Sequence, residues 1–272
     1  EKPYFTTNSS WNNIRRRQRV NESDYAKELE MFMNEHLIKM KEFTNNKEAF
    51  KNLMTNELNV YTRKLEKVQI KETFNFFNEL TVHRILQENI KMLGYSQMTP
   101  IQRTVLPLLM KGENVIGCAQ TGSGKTAAFL LPIINSMLFE GPPMVKDTNS
   151  LCHPTTLILS PTRELTEQTY KVCRLLLVNT GINCVKIYGG EAHINQINEM
   201  KPGAEIIIAT PGRLIDFLKK KTIILDYIKY LVLDEADRML DMGFEKQLSE
   251  IVFLFNMPDK TMRQSLLFSA TF

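Results

Sequence analysis

The chain has 272 residues, 43% of them hydrophobic, enough for one large α/β domain with an appendage or for two small domains. No apolar run reaches the ~18 residues that a membrane span needs, and residues 1–30 lack the apolar centre of a signal peptide. An intracellular soluble protein of the cytoplasm or nucleus is expected, with no membrane partner. Cys118, Cys152, Cys173 and Cys184 show no CxxC spacing, which excludes a disulfide framework and a structural zinc site and leaves reduced, mostly buried thiols; the net charge of +4 is too small to name a partner.

Residues 1–23 are polar, with Arg15, Arg16, Arg17 and Arg19 clustered near Trp11. Disorder is the default for that composition, and a basic arm on nucleic acid is the alternative. From Asp24 to Lys71 apolar residues recur at helical spacing: Leu29, Phe32, Met33, Leu37 and Met40, then Leu53, Met54, Leu58, Tyr61 and Leu65. They predict amphipathic helices docked on the main domain or held for a protein partner, so residues 1–72 read as a polar, partly helical extension.

The main domain, residues 73–272, starts near Thr73. Val82 to Leu93 is predicted as a helix ended by Gly94, and Ile101 to Met110 as another ended near Gly112. Short apolar runs at 115–118, 156–160, 184–188, 205–209, 230–233 and 265–269 alternate with helical patterns, which specifies an α/β fold: a parallel sheet with helices on both faces. The stretch from Gly141 to Pro154 holds three prolines and reads as a surface insertion.

The first strand runs into Ala119-Gln120-Thr121-Gly122-Ser123-Gly124-Lys125-Thr126 and then directly into a helix, the context that a phosphate-binding loop requires. Gly122 and Gly124, lacking Cβ atoms, let backbone N–H groups close on phosphate oxygens, and the helix N-terminus adds attraction for the same anion. Lys125 is placed to reach the β- and γ-phosphates, and the Thr126 hydroxyl to ligate Mg²⁺. Ala119 stands where the usual motif has its first glycine. The strand 230–233 ends in Asp234-Glu235-Ala236-Asp237. Asp234 would hold Mg²⁺ through its water shell, and Glu235 would position and polarise the water that attacks the γ-phosphate. Acids also favour the first turn of a helix, but the phosphate loop upstream favours the catalytic reading.

With these two motifs the chain resembles the first RecA-like, P-loop domain of the DEAD-box RNA helicases, over about residues 74–272. The wording of 117–121 and 237–244 is similar to the Vasa-like subgroup. Tyr95-Ser96-Gln97-Met98-Thr99-Pro100-Ile101-Gln102 resembles the adenine-reading motif of that family, with Phe77 as its upstream aromatic. The resemblance implies that Phe77, Tyr95, Thr99 and Gln102 hold the base, Phe77 by stacking and Gln102 by donating to and accepting from adenine. Met98 replaces the family's usual proline, which is expected to loosen the loop. Pro161-Thr162-Arg163, Gly189-Gly190 and Thr210-Pro211-Gly212-Arg213 match stretches that meet RNA in the family, and each follows a predicted strand. Ser269 and Thr271 match the motif that links the two sites, with Asp237 as their hydrogen-bond partner.

The resemblance implies an ATP- and Mg²⁺-dependent enzyme, an RNA-dependent ATPase that opens RNA duplexes or remodels ribonucleoproteins. Its partners would be single-stranded or duplex RNA, proteins met through residues 1–72, and a second RecA-like domain that supplies an arginine finger. The sequence reads as a fragment that stops before that domain, so residues 1–272 alone should bind nucleotide and scarcely hydrolyse it. The alternatives are an ATP-gated RNA clamp or adaptor and a DNA helicase or translocase of the same superfamily. Gln102 in its motif and the quartet 234–237 disfavour the DNA enzyme, and a nucleotide kinase would share only the phosphate loop.

Overall fold

The computed structural model describes residues 22–55, 58–62, 64, 66–70, 74–143 and 152–270. The arginine cluster near Trp11, Leu65 and Thr271 lie outside the described residues. In chain order the elements are α1 (Glu22–Asn45), α2 (Lys47–Thr55), β1 (Val60–Tyr61), β2 (Lys67–Val68), α3 (Arg84–Met92), α4 (Pro100–Met110), β3 (Val115–Cys118), α5 (Lys125–Glu140) and β4 (Thr156–Leu159). They continue with α6 (Arg163–Leu176), β5 (Cys184–Ile187), α7 (His193–Met200), β6 (Ile206–Ala209), α8 (Pro211–Lys219), β7 (Tyr230–Leu233), α9 (Ala236–Asp241), α10 (Glu245–Leu254) and β8 (Gln264–Ser269).

Strands β3 to β8 form one parallel sheet in the order β3-β8-β7-β4-β6-β5. Its central strands are apolar at nearly every position because both faces are covered. Ile158, Ile206, Val232, Leu266 and Phe268 meet the helices α4, α5 and α6 on one face. Their neighbours Leu157, Leu159, Ile207 and Leu231 meet α8 and α10 on the other. This period of two divides continuous apolar runs between two cores.

Two expectations change. The helical reading of Asp24 to Lys71 holds to Thr55, but Tyr61 lies in the hairpin of β1 and β2. There the Thr62 hydroxyl accepts from the N–H groups of Lys64 and Glu66, so local turn chemistry wins over helical spacing. The far end of the proline-bearing insertion is not on the surface either: Cys152 is fully buried and bridges Ile223 in parallel. Helix α1 packs along α6, and Phe32, only 5% exposed, enters the core beside Leu29 and Met33. Burying such a ring stabilises the docked helix by about 1.5–3 kcal/mol.

Candidate nucleotide site and nucleic-acid face

The phosphate loop links the edge strand β3 to α5, and its shape is set by left-handed glycines at 122 (φ 81°) and 124 (φ 91°). A Cβ at Gly124 would sit 2.4 Å from Gln102 Nε2, so a side chain there would push the Gln102 amide aside as well as strain the backbone. The buried Gln102 accepts from Thr99 N through Oε1 (2.9 Å) and donates from Nε2 to Gly124 O (3.1 Å). Helix α4 is thereby joined to the phosphate loop, while one N–H and one lone pair of the amide stay available for a base.

Lys125 opens α5 and is 7% exposed; its Nζ donates to Ala119 O at 2.7 Å and lies 3.7 Å from Glu235 Oε1. Thr121 Oγ1 donates to the same oxygen at 3.4 Å. Asp234 and Glu235 follow β7, and β8 lies between β7 and β3, so the two motifs meet across one intervening strand. Glu235 has φ 54° and ψ 50°, a left-handed conformation that costs a non-glycine residue energy and is found where surrounding structure fixes a functional group. Its N–H donates to Asp234 Oδ1 (3.1 Å). Burial pushes the Asp234 carboxyl up to about 6, with Lys125 pulling it down and Glu235 pushing it further up.

These groups face a cleft of about 700 Å³ whose lining includes Thr121, Gly122, Gly124, Lys125 and Thr126 together with Tyr95, Thr99 and Gln102. Gln120 and Thr121 are exposed, whereas Ser123 is buried and Ala119 packs on the core. Phe77 also lines this cleft; only 2% of it is exposed, and one face of its ring stacks on Tyr95 (centroids 5.4 Å apart, 26° between planes). Met98 is not a loose point: it is fully buried and its N–H donates to Asn75 O at 2.8 Å, a bond that a proline could not make.

The proposed RNA residues lie after β4, β5 and β6, which are adjacent in the sheet. The Thr162 hydroxyl caps α6 by accepting from Leu165 N (3.3 Å), beside the buried Pro161. Gly189 and Gly190 are exposed, and Gly190 has φ 85°. Pro211 sits in the first turn of α8, next to the exposed Gly212, and Thr210 holds the cap position without a side-chain cap bond. The two arginines differ. Arg163 is exposed and stands 4.7 Å over the ring of Tyr188, while Arg213 donates to Glu191 O at 2.9 Å and fastens α8 to the glycine turn. Tyr188 escaped the sequence reading although an aromatic directly before Gly-Gly was a visible signal. Its hydroxyl donates to Glu167, which also pairs with Lys186 at 3.0 Å. Ser269 ends β8, its carbonyl accepting from Ala119 N (3.0 Å), and α9, which carries Asp237, packs on β8.

A model of the DEAD/DEAH box helicases matches residues 99–272. The chain belongs to this family. It is similar to a probable ATP-dependent RNA helicase, ddx3, of Dictyostelium discoideum, with 46% identity over 73% of the chain and 28% of the relative. It is also similar to the probable ATP-dependent RNA helicase DDX4 of Homo sapiens, with 45% identity over 72% of the chain and 27% of the relative, so the Vasa-like subgroup is among the matches. Among solved structures the DEAD-box domain resembles a DEAD box protein of Methanococcus jannaschii (38% identity, TM-score 0.62, 74% of this chain and 51% of that one). It also resembles the yeast DEAD-box splicing factor Prp28 (32% identity, TM-score 0.70, 84% and 52%). The DEAD-box chain thus spans a little over a quarter of the curated relatives' length. Among its described residues no helix is long and apolar enough to cross a membrane.

Proposed function

We propose that this chain is the ATP- and RNA-binding half of an RNA helicase, in which ATP hydrolysis drives local separation of RNA strands or remodelling of RNA–protein complexes. The observation that carries this reading is the meeting of Lys125, Asp234 and Glu235 in one cleft with Gln102, beside a row of helix N-termini. Lys125 would exchange Ala119 O and Glu235 for the β- and γ-phosphates, and the loop N–H groups would hold the remaining oxygens. Gln102 would read adenine with its remaining N–H and lone pair, and by its bond to Gly124 O would report base occupancy to the phosphate loop.

Mg²⁺ fits the donors that the chain offers. Thr126 Oγ1 and Asp234 are hard oxygens, and this ion takes one or two protein groups beside phosphates and water; among the described residues no cluster of three or more His, Cys, Asp or Glu could hold a metal unaided. Bound there, Mg²⁺ would neutralise charge on the phosphates. Glu235, released from Lys125, would accept a proton from the attacking water. RNA would lie along the turns after β4, β5 and β6, held through phosphates by helix N-termini and Arg163, with no base preference expected from such contacts. Arg213 would act by positioning the glycine turn.

Phosphoryl transfer on this template needs an arginine opposite the phosphate loop, and we assign it to a second RecA-like domain. Steady-state ATPase with and without single-stranded RNA, on residues 1–272 and on a longer protein carrying that second half, tests the proposal. The short chain should bind nucleotide with almost no RNA-stimulated turnover, the long one should hydrolyse and unwind, and Glu235→Gln in the long one should abolish turnover while ATP and RNA stay bound. Vigorous RNA-stimulated hydrolysis by the short chain would refute the two-domain mechanism. Turnover by the long protein without unwinding would favour an ATP-gated clamp.

A further inference from the structure

Arg163, assigned above to an RNA phosphate, has a competitor on its own helix. Glu167 follows it by four residues on α6, the spacing at which an arginine and a glutamate ordinarily pair on a helix surface. An ion pair between them would neutralise the charge that a phosphate is to meet. Glu167 is engaged elsewhere: Lys186, from β5, donates to both of its oxygens at 3.0 Å, and the Tyr188 hydroxyl donates to Oε1. Arg163 stays within electrostatic reach all the same, since burial raises the Glu167 carboxyl while Tyr188, Lys186 and then Arg163 bring it below its ordinary range.

Arg163 is carried instead by a ring. It is exposed, and its guanidinium stands 4.7 Å over the buried Tyr188. Attraction to an aromatic face needs none of the guanidinium's N–H donors, so the fork stays free for a phosphate. The ring is fixed at both ends. Glu167 holds its hydroxyl, and the Tyr188 carbonyl, directly before Gly189, accepts from Nε2 of the fully buried Gln196 at 2.8 Å. The Lys186 side chain is only 18% exposed, which makes it a poor phosphate ligand in its own right. We propose that Tyr188, Glu167 and Lys186 are positioning residues of the RNA face: Tyr188 carries Arg163, and Lys186 with the Tyr188 hydroxyl keeps Glu167 from neutralising it. One phosphate contact then depends on three side chains that touch no RNA. The proposal rests on the RNA reading of the turns after β4, β5 and β6.

The test is fluorescence anisotropy of residues 1–272 with a labelled single-stranded oligouridine across a salt series. Tyr188→Leu should weaken binding roughly 3- to 10-fold, the scale of a lost cation–π contact, and reduce the salt slope by about one unit, the loss of one phosphate contact. In an Arg163→Ala background it should do neither. Tyr188→Phe keeps the ring and leaves Lys186 on Glu167, so its affinity should stay within about twofold of the unmodified chain. Lys186→Met, which leaves the buried ring untouched, should lower affinity and slope as Tyr188→Leu does. Adding Glu167→Gln to it should restore both, because no carboxylate is left to capture Arg163. Losses that multiply between Tyr188→Leu and Arg163→Ala would overturn the part given to Tyr188, and a failure of Glu167→Gln to restore binding would overturn that of Glu167 and Lys186. An unmodified chain that binds no RNA at any salt concentration would overturn the RNA reading and this proposal with it.

Discussion

The two ends of the sheet handle buried acids in opposite ways. At the amino end, Glu205 precedes β6 and its carboxylate closes a turn: Oε2 accepts from Asn183 N at 2.7 Å, while Asn183 Nδ2 donates to Gly203 O at 2.6 Å. At the carboxyl end Glu235 has only long contacts, 3.7 Å to Lys125, 3.9 Å to Arg238 and 3.4 Å to Thr121, and a left-handed backbone besides. Acids at both ends are raised by burial, Glu205 to about 7 and Asp234 to about 6. One end is closed by short hydrogen bonds within the chain. The other keeps its charges poorly paired and facing a cleft, an arrangement that costs stability and leaves groups ready for a ligand.

Replacing Lys125 should break this contrast most severely. Lys125→Ala would leave Asp234 and Glu235 without their buried cation, Arg238 remaining only at 3.9 Å from Glu235, and remove the phosphate contact, a loss of about 2–5 kcal/mol for truncating a buried charge pair. Nucleotide affinity measured by titration should therefore fall by roughly 30-fold to several thousand-fold.

Gln102→Ala comes next, because it removes both the base contact and the bridge to Gly124 O. ATP affinity should drop by about 1–3 kcal/mol, and ATP should lose its advantage over GTP. Equal affinities for ATP and GTP in the unmodified chain would refute base reading by Gln102.

At the closed end, Glu205→Gln keeps an oxygen for Asn183 N but removes the titrating carboxyl. With a pKa near 7 folded and near the ordinary 4.5 unfolded, Glu205 holds its proton more tightly in the folded chain. Its contribution therefore falls as pH rises from about 4.5 to 7. Denaturant melts at pH 5 and 8 should show the variant losing part of that slope and gaining about 1–2 kcal/mol at pH 8. An unchanged slope would show that the carboxyl stays ionised in the fold.

The smallest effects belong to the proposed RNA face. Arg163→Ala should weaken RNA binding alike for all sequences and reduce the salt slope by about one unit. Arg213→Ala, whose guanidinium already caps Glu191 O, should weaken binding with little change in slope. Fluorescence anisotropy with several oligonucleotides across a salt series separates the two, and equal slope changes would mean that Arg213 reaches a phosphate after all.

By itself the sequence determined the parallel sheet, since each strand reads as a short apolar run closed by turn residues, and it located the loop 119–126 and the quartet 234–237 at strand ends, since both are continuous in the chain. Local propensity and short-range steric rules suffice for such features. Only the tertiary structure decided what depends on who neighbours whom. The meeting of Lys125 and Glu235 across β8 needed the strand order, the stacking of Phe77 on Tyr95 needed two segments brought together, and Arg213 and Arg163, alike in sequence, were separated by one carbonyl at Glu191. The amphipathic stripe of α1 was legible from spacing alone, but that its last turns line a cleft rather than the core could not be read from it. Periodicity says which face of a helix is apolar; what that face meets is fixed by packing with segments far away in the chain.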